Sequence, residues 1–177
     1  ALLAHPDIPA RPDDEGIADA LMIRARPVEG LGLTCFAGIG ALPPSHMFVV
    51  TPAGVIATDP ISYALPDASK VYISEIRKIT NQPIRYLVYS HHHFDHIAGG
   101  KPFKDAGARF LSHKRAQERL AVLKDPHTIL PDETMGDAKH TITLGGTTLE
   151  LHYVGLNHAD STIVMLLPKE KVLFAVD

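Results

Sequence analysis

Four histidines and one aspartate within six residues are the feature of this 177-residue sequence that most limits its fold. The run reads H91-H-H-F-D-H96, and only Ser90 separates it from I84-R-Y-L-V-Y89, whose apolar character predicts a buried strand. Ligand sites of layered α/β folds gather where the chain leaves the carboxyl end of a strand. The sequence therefore favours a metal site at a sheet edge over a polar surface loop.

The composition is that of an ordinary globular chain, with 45% hydrophobic and 21% charged residues. The net charge of -3, without any run of Lys or Arg, gives no electrostatic footprint for nucleic acid or an anionic membrane. No stretch approaches the ~18 consecutive apolar residues of a membrane span. The single Cys35 excludes an internal disulfide, so the sequence leaves a cytoplasmic and a periplasmic or secreted soluble protein equally open. The expected partner is a small-molecule substrate.

Strands and helices alternate along the chain, which predicts an α/β or α+β layered domain with helices covering a sheet. Residues 1–20 are rich in proline and acidic residues and predict a loose arm before a domain over 21–177. Apolar residues at steps of three or four predict helices over 66–80 and 113–123. The remaining predictions are strands at 21–25, 31–36, 84–89 and 108–112, hairpins at 46–59, 138–154 and 163–176, a short helical stretch from 99, and a loop over 124–137.

The motif itself predicts which side chains face a metal ion. In an extended loop, residues two apart point the same way, so His91 and His93 can address one ion. Asp95 and His96 can then turn toward a neighbouring point. Imidazole and carboxylate bind zinc at about 2.0–2.2 Å and suit iron as well. In this geometry the middle histidine, His92, points away and takes no part in metal binding.

Two further polar residues follow apolar strands. His158 lies in G155-L-N-H-A-D-S161, and Asp177 closes V172-L-F-A-V-D177. Each taken alone is typical of a surface turn, but a carboxylate that ends an apolar strand is also typical of a bridging metal ligand. Among the other histidines, His46 and His127 are kept as candidates for substrate contact. All of them are interpreted as surface or hydrogen-bonded groups: His5, His46, His113, His127, His140 and His152.

These segments resemble the metallo-β-lactamase-fold hydrolases, whose signature H-x-H-x-D-H is matched by H91-H-H-F-D-H96 and the following I-A-G-G100. The resemblance extends to the hairpin that ends at Asp59, the helix over 66–80, His158 and L-F-A-V-D177. It implies a four-layer αββα sandwich made of two similar halves, of which this chain supplies about the first.

The resemblance also implies a ligand set for two zinc ions, with iron or manganese as alternatives. The ligands implied for the first ion are His91, His93 and His158, and those implied for the second are Asp95, His96 and a bridging Asp177. Asp59 would lie behind the ligands and orient them. The family supplies one more histidine to the second ion, and this chain has none in the expected place.

Half of such a sandwich would leave an apolar sheet face open to water. About 800 Å² of exposed face would forgo ~20 kcal/mol at about 25 cal/mol per Å², which exceeds a typical domain's whole stability. We therefore expect the missing C-terminal half, or another copy of the chain, to cover this face. The residues expected on it are Phe48, Val50, Val55, Ile56, Leu87, Val88, Ile163, Met165, Leu167, Leu173 and Phe174.

Residues and resemblance together predict a metal-dependent hydrolase that cleaves an ester, lactone or amide-type bond, with a β-lactam or lactone as the substrate class. A metal-bound hydroxide would be the nucleophile at neutral pH, and Asp95 would steer it and help to protonate the leaving group. The segment around His158 departs from the P-G-H-T-x-G-S/H form of thioesterase members. The alternatives are a thioester or phosphoester hydrolase, an iron-loaded oxidoreductase, and a catalytically incomplete metal-binding fragment.

Overall fold

Two β-sheets packed face to face form the centre of the molecule. The structure is a computed structural model that describes residues 32–36, 46–60, 62 and 67–176. The predicted arm over 1–20, the predicted strand over 21–25 and the predicted ligand Asp177 lie outside the described residues.

The first sheet has six strands in sequence order. They are β1 (Gly32–Phe36), β2 (His46–Thr51), β3 (Gly54–Thr58), β4 (Ile84–Val88), β5 (Arg109–His113) and β6 (Glu133–Met135). Strands β1 to β3 pair antiparallel, whereas β3 to β6 pair parallel. Parallel neighbours need crossover connections, and they place the carboxyl ends of β3, β4 and β5 at one edge of the sheet.

Helices cover the outer face of this sheet. They are α1 (Ala68–Ile79), the single turn α2 (Phe94–Ile97), α3 (Lys101–Asp105) and α4 (Lys114–Leu123). Helix α1 buries Tyr72 and Ile76, four residues apart on one face, as its periodicity predicts. These side chains join Phe103 of α3 and Leu120 of α4 in one core cluster against the sheet. Tyr72 satisfies its buried hydroxyl by donating to the carbonyl of Met47 over 2.7 Å.

The second sheet is an antiparallel meander of four strands. It consists of β7 (His140–Leu144), β8 (Thr147–Tyr153), β9 (Ile163–Leu167) and β10 (Val172–Phe174). The β7–β8 turn consists of Gly145 and Gly146, with φ angles of 56° and 83°. A two-residue hairpin turn of this kind needs positive φ at both positions, which glycine adopts without strain.

The inner faces of the two sheets bury one another, and this corrects the expectation of an open sheet face. Ile56 and Val88 of the first sheet belong to the same core cluster as Met165, Leu167 and Phe174 of the second. The prediction assigned all these strands to one sheet, although they form two. The chain therefore covers this face with its own second sheet, so neither a second copy nor the missing half is needed there.

The remaining residues of the predicted open face divide between other environments. Phe48, Val50, Val55 and Leu87 pack on the opposite side of the first sheet, beneath the helices. Ile163 belongs to the core between the sheets, as predicted. Leu173 is exposed on β10. Within the described residues, the sandwich thus comprises one helix layer and two sheets of the implied αββα arrangement.

Most predicted elements in the described residues are confirmed, with two additions, the helical turn α2 and the strand β6. Both hairpins of the second sheet, the 46–59 hairpin and the two longer helices form within a few residues of the predicted bounds. Strand β6 lies inside the stretch predicted as a loop, and it pairs in parallel with β5 over three residues. Such a short strand carries no periodicity of its own. No helix in the described part of the chain combines the length and apolarity needed to cross a membrane.

The packing of the two sheets predicts which face of strand β9 belongs to the core. Leu167 is 1% exposed within the core, whereas its neighbour Leu166 is only half-buried. We predict that Leu167→Ala lowers the free energy of unfolding by about 2–5 kcal/mol, as buried leucines do, and that Leu166→Ala lowers it by much less. Urea unfolding followed by circular dichroism measures both values. Equal losses would contradict the inward orientation of Leu167.

Candidate metal centre

The histidine motif leaves the end of β4 and enters the single helical turn α2. His93 has extended backbone, and its carbonyl accepts the N–H groups of His96 and Ile97 over 3.0 and 3.1 Å. The motif is therefore not an extended loop throughout, as predicted, because Asp95 and His96 stand on a helical turn. His93 occupies the N-cap position of this turn, without a capping hydrogen bond from its side chain.

Three imidazoles from distant parts of the chain meet at this edge. One ring nitrogen of each of His91, His93 and His158 lies within 4.8 Å of the corresponding atoms of the other two. The Nδ1 atom of His93 lies 2.8 Å from the Nε2 atom of His158, across 65 residues of sequence. The residues predicted for a first metal ion are thus brought together, and their role as ligands stays a prediction.

The surroundings of His91 decide which of its nitrogens faces this cluster. Its Nδ1 atom lies 3.0 Å from the hydroxyl of Ser90, while its Nε2 atom is buried and has no hydrogen-bond partner among the described residues. A buried polar atom without a partner is rare in folded proteins, and an ion at this position would satisfy it. Three imidazoles that leave a fourth position open are the donor set of catalytic zinc sites. The residues therefore fit a zinc ion.

The electrostatics of the cluster favour the form of His91 that binds metal. Burial, reinforced by the neighbouring His96, His93 and His158, lowers the pKa of His91 to about 2. The ring is consequently uncharged at neutral pH, which is the state that a metal requires.

A second group lies directly beside the first. The rings of His91 and His96 are 4.3 Å apart between centroids, and the Nε2 atom of His96 lies 3.7 Å from a carboxylate oxygen of Asp95. These are the residues predicted for a second ion. Asp177, the predicted bridging ligand, lies outside the described residues.

Asp59 lies behind these histidines and is fully buried. Its Oδ2 atom is 3.0 Å from the Nδ1 atom of His96, and its Oδ1 atom accepts the backbone N–H of Ser90 over 2.7 Å. Its φ of 40° places it in the left-handed region, which aspartate tolerates better than most residues. The carboxylate therefore fixes the ring of His96 with Nε2 directed away from Asp59.

His92 is turned out of the cluster, in the direction that the spacing predicts. Its Nδ1 atom lies 2.7 Å from the hydroxyl of Ser161 and 3.8 Å from a carboxylate oxygen of Asp160. Ser90, Asp160 and Ser161 were not predicted from the sequence to lie at this site. Their position next to the predicted ligands was the one available signal, and serines and aspartates are too common in loops for that signal to be specific.

The remaining described histidines take several environments. His46 is buried against the ring of Tyr72, with centroids 5.0 Å apart, and His127 is exposed. His113 stacks on Tyr153 and faces Asp137. His140 and His152 are partly buried and lie near glutamates.

A groove borders the cluster on the side of His93. Its walls are mainly apolar, and the residues that line it are His92, His93, Phe94, Ile97, Leu123, Asp125 and Thr128. The side chain of Phe94 is 37% exposed here. A ligand at the three imidazoles would thus have apolar surface beside it.

Comparison with known proteins identifies relatives of this chain. Residues 63–177 match the family model described as "Metallo-beta-lactamase superfamily". The chain is 24% identical over 125 residues to the 2,4-dinitroanisole O-demethylase subunit alpha of Nocardioides sp. (strain JS1661). It is 27% identical over 127 residues to the metallo-beta-lactamase type 2 of Elizabethkingia meningoseptica. These matches cover 70% and 72% of this chain, but 38% and 49% of the relatives, so the chain spans half their length or less.

A solved structure supports the fold. The metallo-beta-lactamase from Pontibacter korlensis superposes with a TM-score of 0.72 and 19% sequence identity. The match covers 86% of this chain and 70% of that chain. The fold implied by the sequence resemblance is therefore confirmed.

The buried His46 makes stability depend on pH. Burial, reinforced by His96, lowers the pKa of His46 from 6.5 to about 3. Below pH ~6.5 the unfolded chain takes up a proton that the folded chain excludes, so stability falls by up to about 1.4 kcal/mol per pH unit. We predict that the free energy of unfolding of the metal-free protein falls between about pH 6.5 and pH 5, and that it falls less steeply in His46→Gln.

Urea unfolding at a series of pH values measures the slope. His140→Gln is the matched control, because it also removes one histidine but at a partly buried position on an outer strand. A His46→Gln slope equal to the wild-type slope would show that His46 does not contribute.

Proposed function

This chain belongs to the metallo-beta-lactamase superfamily, and on that premise we propose that it is a zinc-dependent hydrolase of an ester, lactone or amide-type bond. A β-lactam or a lactone is the proposed substrate class. The observation that carries the proposal is the meeting of His91, His93 and His158 within 4.8 Å, with a buried nitrogen of His91 left without a partner among the described residues.

The proposed metal ligands are the three clustered imidazoles for one ion, and Asp95, His96 and Asp177 for a second. Zinc suits these donors, and iron or manganese are alternatives. A bound zinc ion would make hydroxide available near neutral pH and would stabilise the negative charge that develops on the carbonyl oxygen of the substrate.

Asp95 is the proposed proton carrier. Its side chain is 57% exposed and stands on the helical turn beside His96, so it can reach both water and a bound substrate. As a carboxylate it would accept a hydrogen bond from the attacking hydroxide and orient it. After the attack it would take up the remaining proton of that hydroxyl group and pass it to the leaving group.

Residues behind the ligands would hold them in place. Ser90 contacts Nδ1 of His91, and Asp59 contacts Nδ1 of His96, so both rings are left with Nε2 for the site. Phe94, Ile97 and Leu123 of the groove would contact an apolar part of the substrate. Substrates with an apolar group next to the scissile bond are therefore favoured.

A substrate panel tests the reaction class. We propose assaying a chromogenic β-lactam, an acyl lactone, an acyl-glutathione, an aryl phosphate and 2,4-dinitroanisole with the zinc-, iron- and manganese-loaded protein. The acyl-glutathione tests the thioester alternative, and the aryl phosphate tests the phosphoester alternative. 2,4-Dinitroanisole is included because one relative is named a 2,4-dinitroanisole O-demethylase. Stoichiometric metal binding without turnover of any substrate would indicate a catalytically incomplete chain.

The ligand assignment is tested by metal content. We expect His91→Ala, His93→Ala and His158→Ala each to lose most of one zinc equivalent, because each removes one of three ligands. His152→Ala is the matched control, since His152 is partly buried on β8 and contacts Glu150 instead. Mass-spectrometric metal analysis after gel filtration gives the stoichiometry. Full zinc content in any of the three variants would remove that residue from the ligand set.

The role of Asp95 is tested by kinetics. We predict that Asp95→Asn lowers kcat by about 100-fold or more and changes KM little, because the lost proton transfer belongs to the transition state. Asp105→Asn is the control, since Asp105 is an exposed residue of α3 paired with Lys101. Steady-state rates on the substrate identified by the panel measure both constants. A wild-type kcat in Asp95→Asn would contradict the proposed role.

A further inference from the structure

His158 lies on a loop, and the buried residues that follow it fix the position of that loop. Its own side chain is exposed, whereas the residues that follow it, Ala159, Ser161 and Thr162, are buried. The hydroxyl of Thr162 bonds the backbone of Ala159, and the N–H of Ile163 donates to the carbonyl of Ser90 over 2.9 Å. The position of the imidazole thus depends on the contacts of residues 159–163.

One of these contacts comes from inside the histidine motif. His92, between two of the clustered imidazoles in sequence, directs its ring to the hydroxyl of Ser161 at 2.7 Å. A side chain that is not in the cluster therefore connects the strand-end motif to the loop that carries His158. The two segments are 69 residues apart in sequence.

A second contact comes from helix α4. The guanidinium of Arg119 donates two hydrogen bonds to the carboxylate of Asp160, from Nε over 3.2 Å and from Nη2 over 2.5 Å. This paired geometry fixes direction as well as distance.

The two contacts join into one network, because the same carboxylate lies 3.8 Å from Nδ1 of His92. Helix α4 is anchored on the sheet by the buried Ala116 and Leu120. The side chains of His92, Arg119, Asp160 and Ser161, here named the loop network, therefore link a fixed helix, the motif and the His158 loop.

We propose that the loop network positions His158 for metal binding and so sets the affinity of the first metal ion. This inference rests on the proposed function, because it concerns the same three imidazoles. Exposed ion pairs contribute little to folding stability, and Arg119 is about half exposed. Groups that orient metal ligands affect metal affinity by about 10–100-fold. The network should therefore matter more to metal affinity than to stability.

The experiment measures zinc affinity and folding stability in the same variants of the full chain. Zinc competition with a chromophoric chelator gives the dissociation constant, and urea unfolding without metal gives the stability. We expect His92→Ala, Asp160→Ala and Arg119→Ala each to bind zinc at least about tenfold more weakly, with unchanged stoichiometry at saturation. We also expect the midpoint of metal-free unfolding to stay near the wild-type value.

Two further variants separate positioning from general disturbance. His92→Asn places an amide nitrogen near the position of Nδ1, so it can keep the bond to Ser161 and should restore most of the affinity. Arg109→Ala is the control, because it removes another Arg–carboxylate ion pair, the one with Glu133. The two side chains of that pair are about as exposed as those of Arg119 and Asp160. Its zinc affinity should equal that of the wild type.

A double variant tests whether Arg119 and Asp160 act together. If they do, the double variant Arg119→Ala/Asp160→Ala should have the same zinc affinity as the single variant that binds zinc less tightly.

The outcomes distinguish this inference from the proposed function. If His158→Ala loses the metal while all three network variants bind zinc within about twofold of the wild type, the inference is wrong and the metal site stands. If the network variants lose metal-free stability in proportion to affinity, their role is structural and the inference is also wrong. If the wild-type chain binds no zinc, both proposals fail.

Discussion

Strands β3 and β4 pair in parallel so that Thr58 lies beside Val88, and this register brings Asp59 next to the backbone N–H of Ser90. The site depends on that pairing, because the carboxylate of Asp59 in turn fixes the ring of His96. Side chains alternate between the two faces of a strand, so a shift by one residue would turn these groups to the wrong face. The core beneath the sheet and the polar groups at its edge therefore share one register.

Burial gives the edge its chemical character. A buried carboxylate lowers stability unless hydrogen-bond donors surround it, and Asp59 has a backbone N–H and an imidazole within reach. The Nε2 atom of His91 has no such compensation within the described part of the chain. One side of the cluster is thus satisfied by the protein, and the other side keeps a buried nitrogen that the proposed metal ion would satisfy. Asp95 and His158 lie on the exposed side.

Sequence alone predicted the elements that local patterns encode and the residues that a short motif brings together. Residue spacing over a short stretch of sequence is enough to predict the helix over 66–80, the hairpins and the clustering of His91 with His93. The second sheet's cover over Ile56 and Val88 was missed, because strand patterns show alternation but not which sheet a strand joins. The contacts of His92 were missed for a related reason, since Ser161 lies 69 residues away and no local signal links the two.

The contact between His93 and His158 joins two points separated by 65 residues of chain. An ion bound there would act as a cross-link, because it would close a long loop in any state that retains it. In the chain-entropy treatment of disulfides, a closure of this length restricts the unfolded ensemble by about 4 kcal/mol. The sequence has a single cysteine, Cys35, and so cannot form an internal disulfide. A bound ion would give it a reversible cross-link instead, which a chelator would remove and added metal would restore.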